Sequence, residues 1–385
     1  GTKGAESVWF DIRGGQFTTS TAFSKRLPIW VKTFNDLVCS RIQKRHQTTW
    51  NLRYPIDHEA YQYALIDDER FAGHKESLLD KPQPIPAPNK EKAFDAFTYT
   101  PDANRLLLLL ARHALNYSAN EKPHKPILLW LSMSSLDFVG HVYGPDSRES
   151  VDTLYHIDAQ LDAFITSVEK RFGRTNCAWV LTGDHGVMSI PELLRTQGIP
   201  GAQRLITNDV IAQLNQSIYR YFNIKNMVLA FDTPDIWFNP EKWRGCPDKT
   251  KRAVADHVKH YMLAIPGIKH AWRYDELLDG SAFAHYDRHD RAHWFAKQYY
   301  PGRSGQVVCQ VHPYTYITEY PTGTSHCTPY DYDVHVPLGI SWPSHISDQT
   351  VDAWVSMLQV SPTLAQLLEV NAPTHADSGV LPGLA

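Results

Sequence analysis

The chain has 385 residues, 43% hydrophobic and 21% charged, with 38 basic side chains against 41 acidic ones. That is ample chain for one large domain or two to three smaller ones, and it argues against long disorder, collagen-like repeats and a nucleic-acid binder held by bulk charge. Five scattered cysteines (Cys39, Cys177, Cys246, Cys309, Cys327) form no CxxC pair, so a disulfide scaffold and a Cys-type zinc finger are both disfavoured, whereas 19 histidines leave imidazole and carboxylate to hold any metal.

The chain starts at Gly1 with no charged n-region or apolar h-region, so a processed, trimmed or partial chain is expected. The longest wholly apolar run is 106–111, six residues against the ~20 needed to cross a bilayer. Two β-prone runs, 7–10 and 16–19, flank Gly14-Gly15 and predict a hairpin. Pro28 opens a helix over 28–45 with apolar residues at Ile29, Trp30, Phe34, Leu37, Val38 and Ile42. Residues 81–92 carry four prolines and read as an extended surface connection, and 103–117 as a strong helix. Residues 126–133 (PILLWLSM) form a continuous apolar run, as expected of a strand buried on both faces. A helix over 147–172 and a second apolar run, 177–181, complete a βαβ pattern, which predicts parallel strands and an α/β fold. Further helices are expected at 208–221 and 249–263, and strands at 227–231, 306–312 and 334–340. A last helix, 361–368, has Ser361 as its cap and Pro362 at its first position.

Sites in open α/β sheets form outside the carboxyl ends of the strands. After 126–133 comes Ser135-Leu136-Asp137-Phe138-Val139-Gly140-His141, where Asp137 and His141 share a face if the segment is helical. After 177–181 comes Gly183-Asp184-His185-Gly186, whose glycines allow close approach of backbone and ligand. A carboxylate and an imidazole together suit a divalent metal, and their recurrence at two successive strand ends strengthens both assignments.

A third segment is the polar loop GTSHCTPYDYDVHVPL (323–338). Together with DFVGHVYGPDSRE (137–149) and TGDHG (182–186) it resembles the motifs of the alkaline phosphatase superfamily. The likeness is to the type I phosphodiesterase/nucleotide pyrophosphatase branch, nearest the PafA-type bacterial alkaline phosphatases. SVWFDIRGGQFTTSTAF, LPIWVKTFN, PGRSG (301–305) and VSPTLAQLL (360–368) extend it along nearly the whole chain in order. The resemblance implies an alkaline-phosphatase-like α/β sandwich, with a central mostly parallel sheet flanked by helices. It also implies a smaller inserted subdomain near 195–305 within one domain spanning 1–385. Two zinc ions are expected: one held by Asp137, His141 and His326, the other by Asp184 and His185. Such a pair can stabilise the attacking and leaving oxygens of an in-line phosphoryl displacement.

The family also uses an Asp ligand on a first strand, a Thr or Ser nucleophile at a helix start and, in monoesterases, a Lys-x-Arg pair. None occurs here where the family places it, and Asp11 with Thr18 or Thr19 is too closely spaced to replace them. The amino-terminal part of the enzyme is therefore expected to lie outside this chain, leaving no catalytic nucleophile within it. Cys327 stands where relatives commonly have Gly.

His285, His289 and His293 recur at i, i+4, i+8 and look metal-like, yet interleaved Asp and Arg make a solvated charged face the better reading. His257 and His260 read as surface or packing residues, and His156 and Asp158 as ordinary helix residues. His335 reads either as a hydrogen-bond partner behind a ligand or as plain packing. No GxGxxG or P-loop occurs, which leaves a nucleotide-cofactor enzyme without support.

The leading expectation is thus a zinc-dependent phosphohydrolase acting on small phosphate monoesters through a Thr/Ser phospho-enzyme. The alternatives are a phosphodiesterase or nucleotide pyrophosphatase of the same superfamily, or a non-catalytic metal-binding remnant. No nucleic-acid partner and no membrane span are expected. The resemblance implies a periplasmic or extracellular location.

Overall fold

The computed structural model describes residues 5–62, 64, 83–84, 90–280, 293–376 and 378–384. The chain divides into two units, Gly1–Phe164 with Asp184–Val336, and Ile165–Gly183 with Pro337–Ala385. All five expected ligands belong to the first.

The first unit opens on the expected hairpin, Trp9–Asp11 with Gln16–Thr18, in the register Trp9↔Thr18. Asp11 supports its turn by accepting from the backbone of Arg13 and Gly14, and Thr19 donates to the Ser7 carbonyl. These groups hold the hairpin. Phe17 lies edge-on to Phe34 in a core that also takes Phe94, Phe97, Leu106 and Leu110. The helix expected over 28–45 is an α-turn, Ile29–Phe34, a π-helical stretch, Asn35–Cys39, and a final turn, Ser40–Gln43. Buried Asn35 pairs with both backbone groups of Phe17 at 2.9 and 2.8 Å, locking the hairpin to the π-helical stretch. Helix Pro101–Glu121 has Pro101 in its first turn, where the missing N–H is no loss.

A four-stranded antiparallel sheet, ordered Val228–Asp232, Asp235–Phe238, Val307–Val311, Ile268–Arg273, lies further along this unit. Helices Thr207–Phe222 and Asp248–Leu263 bury Leu214, Ile218, Val254, Val258 and Met262 in the core they share with it. Strand Thr315–Thr318 pairs parallel with Gln203–Ile206, which brings the segment before His326 beside the chain after residue 200.

In the second unit, Trp179–Thr182 pairs antiparallel with Leu338–Ser341. The carboxyl-terminal helix is Val360–Leu367, with no side-chain cap. Ser356 supplies a cap one turn earlier, to the 3-10 turn Met357–Gln359, in place of the expected Ser361. Buried Thr363 then accepts from the Leu381 backbone at 2.8 Å and secures the tail.

The α/β class holds, but the pairing differs from the mostly parallel central sheet expected. Among the described residues the sole parallel pair is Thr315–Thr318 with Gln203–Ile206. Residues 126–133 join no ladder, and Leu128 and Trp130 are 70% and 76% exposed. A strand buried on both faces needs neighbours for its amides and side chains. None of the described residues pairs with its amides in a ladder, and its side chains are covered only in part. The strand expected at 334–340 begins at Leu338, because Asp331–Val334 forms a helical turn instead.

Candidate metal centre

Helix Ser135–Tyr143 turns one face inward, where Val139, Val142 and Tyr143 pack around buried Trp50. That fixes the opposite face, which carries Asp137 and His141 one turn apart with His141 Nε2 3.2 Å from Asp137 Oδ1. Gly144, at φ 84°, ends the helix. The i, i+4 expectation is therefore met in space.

The loop bearing His326 is stitched to this helix. Thr324 N–H donates to the His141 carbonyl at 2.9 Å, and His141 Nδ1 meets the Thr324 carbonyl at 2.9 Å. Thr324 also donates its hydroxyl to the Met188 carbonyl at 2.8 Å. Gly323 sits at φ 75°, and a Cβ there would lie 2.4 Å from the His141 carbonyl oxygen, so no side chain fits. Arg204, almost wholly buried, donates to the carbonyls of Gly323 and Thr322 and pairs with Glu192 at 2.7 Å. The result places His326 Nε2 3.6 Å from Asp137 Oδ1.

His185 comes from the other motif. Its Nδ1 meets the Gly186 carbonyl at 2.9 Å, while its Nε2 lies 3.8 Å from Asp137 Oδ1 and 3.6 Å from Asp184 Oδ2. Its ring stacks on His326 with centroids 3.4 Å apart. Gly186 permits a close approach, but to protein rather than ligand: a Cβ would lie 2.1 Å from the Tyr332 carbonyl oxygen.

Three imidazoles thus turn Nε2 toward one carboxylate oxygen, at 3.2, 3.6 and 3.8 Å. Two of them present Nδ1 to a backbone carbonyl, which fixes the hydrogen there and leaves Nε2 as the ligand atom. Asp137, His141 and His326 offer ligand atoms all within 4.8 Å of one another. Zn–N and Zn–O bonds of about 2.0–2.1 Å in a tetrahedron put neighbouring ligand atoms ~3.3 Å apart, so this donor set fits such an ion in both chemistry and spacing. Asp184, with its side chain 85% exposed, joins the group through His185.

Charge follows the same geometry. Burial alone would raise the Asp137 carboxyl, but the His141 hydrogen bond and the nearby imidazoles hold it below its ordinary range. The hydrogen bond to Asp137 raises His141 above 6.5 despite burial. Burial, then the neighbouring His185 and His141, push His326 down to about 4. Burial also pushes the Asp333 carboxyl up to about 6, against two hydrogen bonds from Thr328.

The other histidines lie apart from this group. His257 bonds Ser217 and His260 bonds the Asp256 carbonyl. His156 reaches the Asn51 carbonyl and Asp152, and Asp158 is exposed. His335 is exposed at the end of the turn Asp331–Val334, which disfavours a partner role behind a ligand. His285 and His289 lie outside the described residues, and His293 begins the helix His293–Gln298. Cys327 holds a left-handed φ of 86°, with Sγ 3.3 Å from His326 Nδ1. That conformation is the one a glycine would adopt at no cost.

Sequence reasoning missed Arg204, Thr324 and Asp333, which shape the site without being ligands. For Asp333 a signal was present in the Tyr-Asp-Tyr-Asp run, but nothing in it ranks one acid above the other.

Comparison with known proteins agrees with these motifs. The type I phosphodiesterase / nucleotide pyrophosphatase family matches residues 5–336. The chain is 27% identical to alkaline phosphatase PhoV of Synechococcus elongatus, over 98% of this chain and 66% of that protein. It is 25% identical to alkaline phosphatase PafA of Elizabethkingia meningoseptica, over 96% of this chain and 66% of that protein. A crystal structure of PafA superposes with a TM-score of 0.80 at 24% identity, covering 97% of this chain and 69% of the other, and so shares the fold. The chain spans 66% of the length of the curated relatives it matches first. With most of its length matched from residue 5 onward, the chain belongs to the type I phosphodiesterase / nucleotide pyrophosphatase family.

Proposed function

We propose that these residues form the metal-holding part of a zinc-dependent phosphohydrolase that cleaves small phosphate monoesters. The convergence of three imidazole Nε2 atoms on Asp137 Oδ1 carries this reading. Asp137, His141 and His326 would hold one zinc, and Asp184 with His185 would contribute to a second. Bound there, zinc would neutralise the phosphoryl oxygens and stabilise charge on the attacking and leaving oxygens. Backbone carbonyls at Nδ1 of His141 and His185 leave Nε2 of those two imidazoles free of hydrogen, and the neighbouring imidazoles keep the carboxylate ionised. With about a third of their side-chain surface exposed, Asp137 and His141 also keep the site open to a substrate oxygen. The phosphoryl group would pass in line to a Thr or Ser outside these 385 residues, and the expected inserted subdomain near 195–305 would flank the site. The names of PhoV and PafA favour monoesters; the family's own description keeps phosphodiesters and nucleotide pyrophosphates as the second reading. On the family resemblance we place the protein in the periplasm or outside the cell.

The test is inorganic phosphate binding by the zinc-loaded chain, followed by calorimetry. Zinc-dependent phosphate heat is expected, with negligible turnover of p-nitrophenyl phosphate. A zinc-loaded chain that ignores phosphate would overturn the reading, and brisk turnover abolished by Asp184→Ala would place the nucleophile within these residues.

Zinc affinity should also fall with acid in a defined way. Metal must displace the proton that Asp137 stabilises on His141, so affinity should drop about one log unit per pH unit below the raised His141 pKa. His326 stays neutral down to about 4 and adds nothing to that slope above it. Titration across about pH 8 to 5 measures the slope; a pH-independent affinity would contradict it.

A further inference from the structure

Asp333, 2% exposed on the turn Asp331–Val334, is tied to both ligand-bearing loops. Its Oδ2 accepts from Thr328 N–H at 2.8 Å and from the Thr328 hydroxyl at 2.6 Å. Its backbone carbonyl accepts from Gly186 N–H at 2.6 Å. Thr328 follows His326 by two residues and Gly186 follows His185 directly, so one residue grips the chain just beyond each imidazole. Upstream, the His326 loop is already fixed by Thr324 and Arg204. Downstream, Cys327 at φ 86° carries a side chain in a conformation that favours glycine, and the next residue is the one Asp333 holds. Asp333 Oδ1 is buried without a hydrogen-bond partner among the described residues. Such an atom lowers stability, which points away from a group retained for stability alone.

We infer that Asp333 is a positioning residue: by clasping Thr328 and Gly186 it sets the separation at which His326 and His185 meet Asp137. This rests on the metal-binding reading above. It assigns the quality of the site to a residue that never touches the ion, as expected of groups that orient ligands.

Cobalt(II), whose visible absorption reports coordination geometry, is the probe. In the 385-residue chain, Asp333→Ala is expected to weaken cobalt binding about 10–100-fold and to alter the visible band. Asp333→Asn keeps an oxygen for both Thr328 donors and should recover most of the affinity and the band. Thr328→Val, losing the hydroxyl bond alone, should fall between them and decides the matter if Asp333→Ala does not fold. Asp333→Ala with a lowered melting temperature but a wild-type cobalt spectrum and affinity would overturn the inference alone. A wild-type chain that binds no cobalt and no zinc would bring down the metal reading and this inference with it.

Discussion

His326→Ala is expected to abolish tight zinc binding by this chain. The wild-type chain should take up about one zinc tightly and a second weakly, because Asp184 and His185 supply only two ligands where a catalytic zinc uses three. Losing a residue that merely orients a ligand costs about 10–100-fold in affinity, and losing the ligand itself should exceed the upper figure. The variant should stay folded, since the loop is held by Thr324, Gly323 and Arg204 rather than by the imidazole. Metal analysis after dialysis, beside a circular-dichroism melt, separates the two effects. Unchanged zinc content in the variant would remove His326 from the site.

The largest stability loss is expected at Asp152, far from any ligand role. Its side chain is fully buried and accepts from Trp50 Nε1 at 2.6 Å, Tyr61 hydroxyl at 2.6 Å and Arg53 N–H at 2.8 Å, with His156 Nε2 3.4 Å away. These bonds, together with its neighbouring imidazole, hold the carboxyl below its ordinary pKa although burial acts the other way. Asp152→Ala leaves three donors unpaired inside the protein, a loss on the order of 3–5 kcal/mol. Because Trp50 also backs the helix that carries Asp137 and His141, zinc binding should weaken in step with stability. Chemical denaturation with and without zinc tests this, and a loss below about 1 kcal/mol would show that water replaces the carboxylate.

Much of the candidate site was legible because the residues proposed as ligands lie in short local patterns. Asp137 and His141 are one helical turn apart, and a single helix buried on its Val139 face brings them together. His326 was found through resemblance; nothing local marks it above His335, and only the folded loop shows that one is inside and the other exposed. Asp184 and His185 were read as a separate pair, yet His185 also approaches Asp137, a convergence that spacing along the chain does not encode. Arg204 was invisible for the same reason, since the carbonyls of Thr322 and Gly323 that it holds lie more than a hundred residues away. The helices expected at 147–172, 208–221 and 249–263 form within a residue of those bounds, as Arg148–Phe172, Thr207–Phe222 and Asp248–Leu263. Strand pairing was harder: residues 126–133 have the composition of an interior strand, but composition names no partner.

Those same residues have a practical side. From Ile127 to Leu131 the chain is continuously apolar, lies between Lys125-Pro126 and Asp137 without an intervening charge, and is open to solvent at Leu128 and Trp130. A stretch of this kind is a template for pairing with copies of itself, with only the lysine and proline at one end acting as gatekeepers. Purified on its own, the 385-residue chain is expected to lose monomer to aggregation as concentration rises, which light scattering against concentration checks.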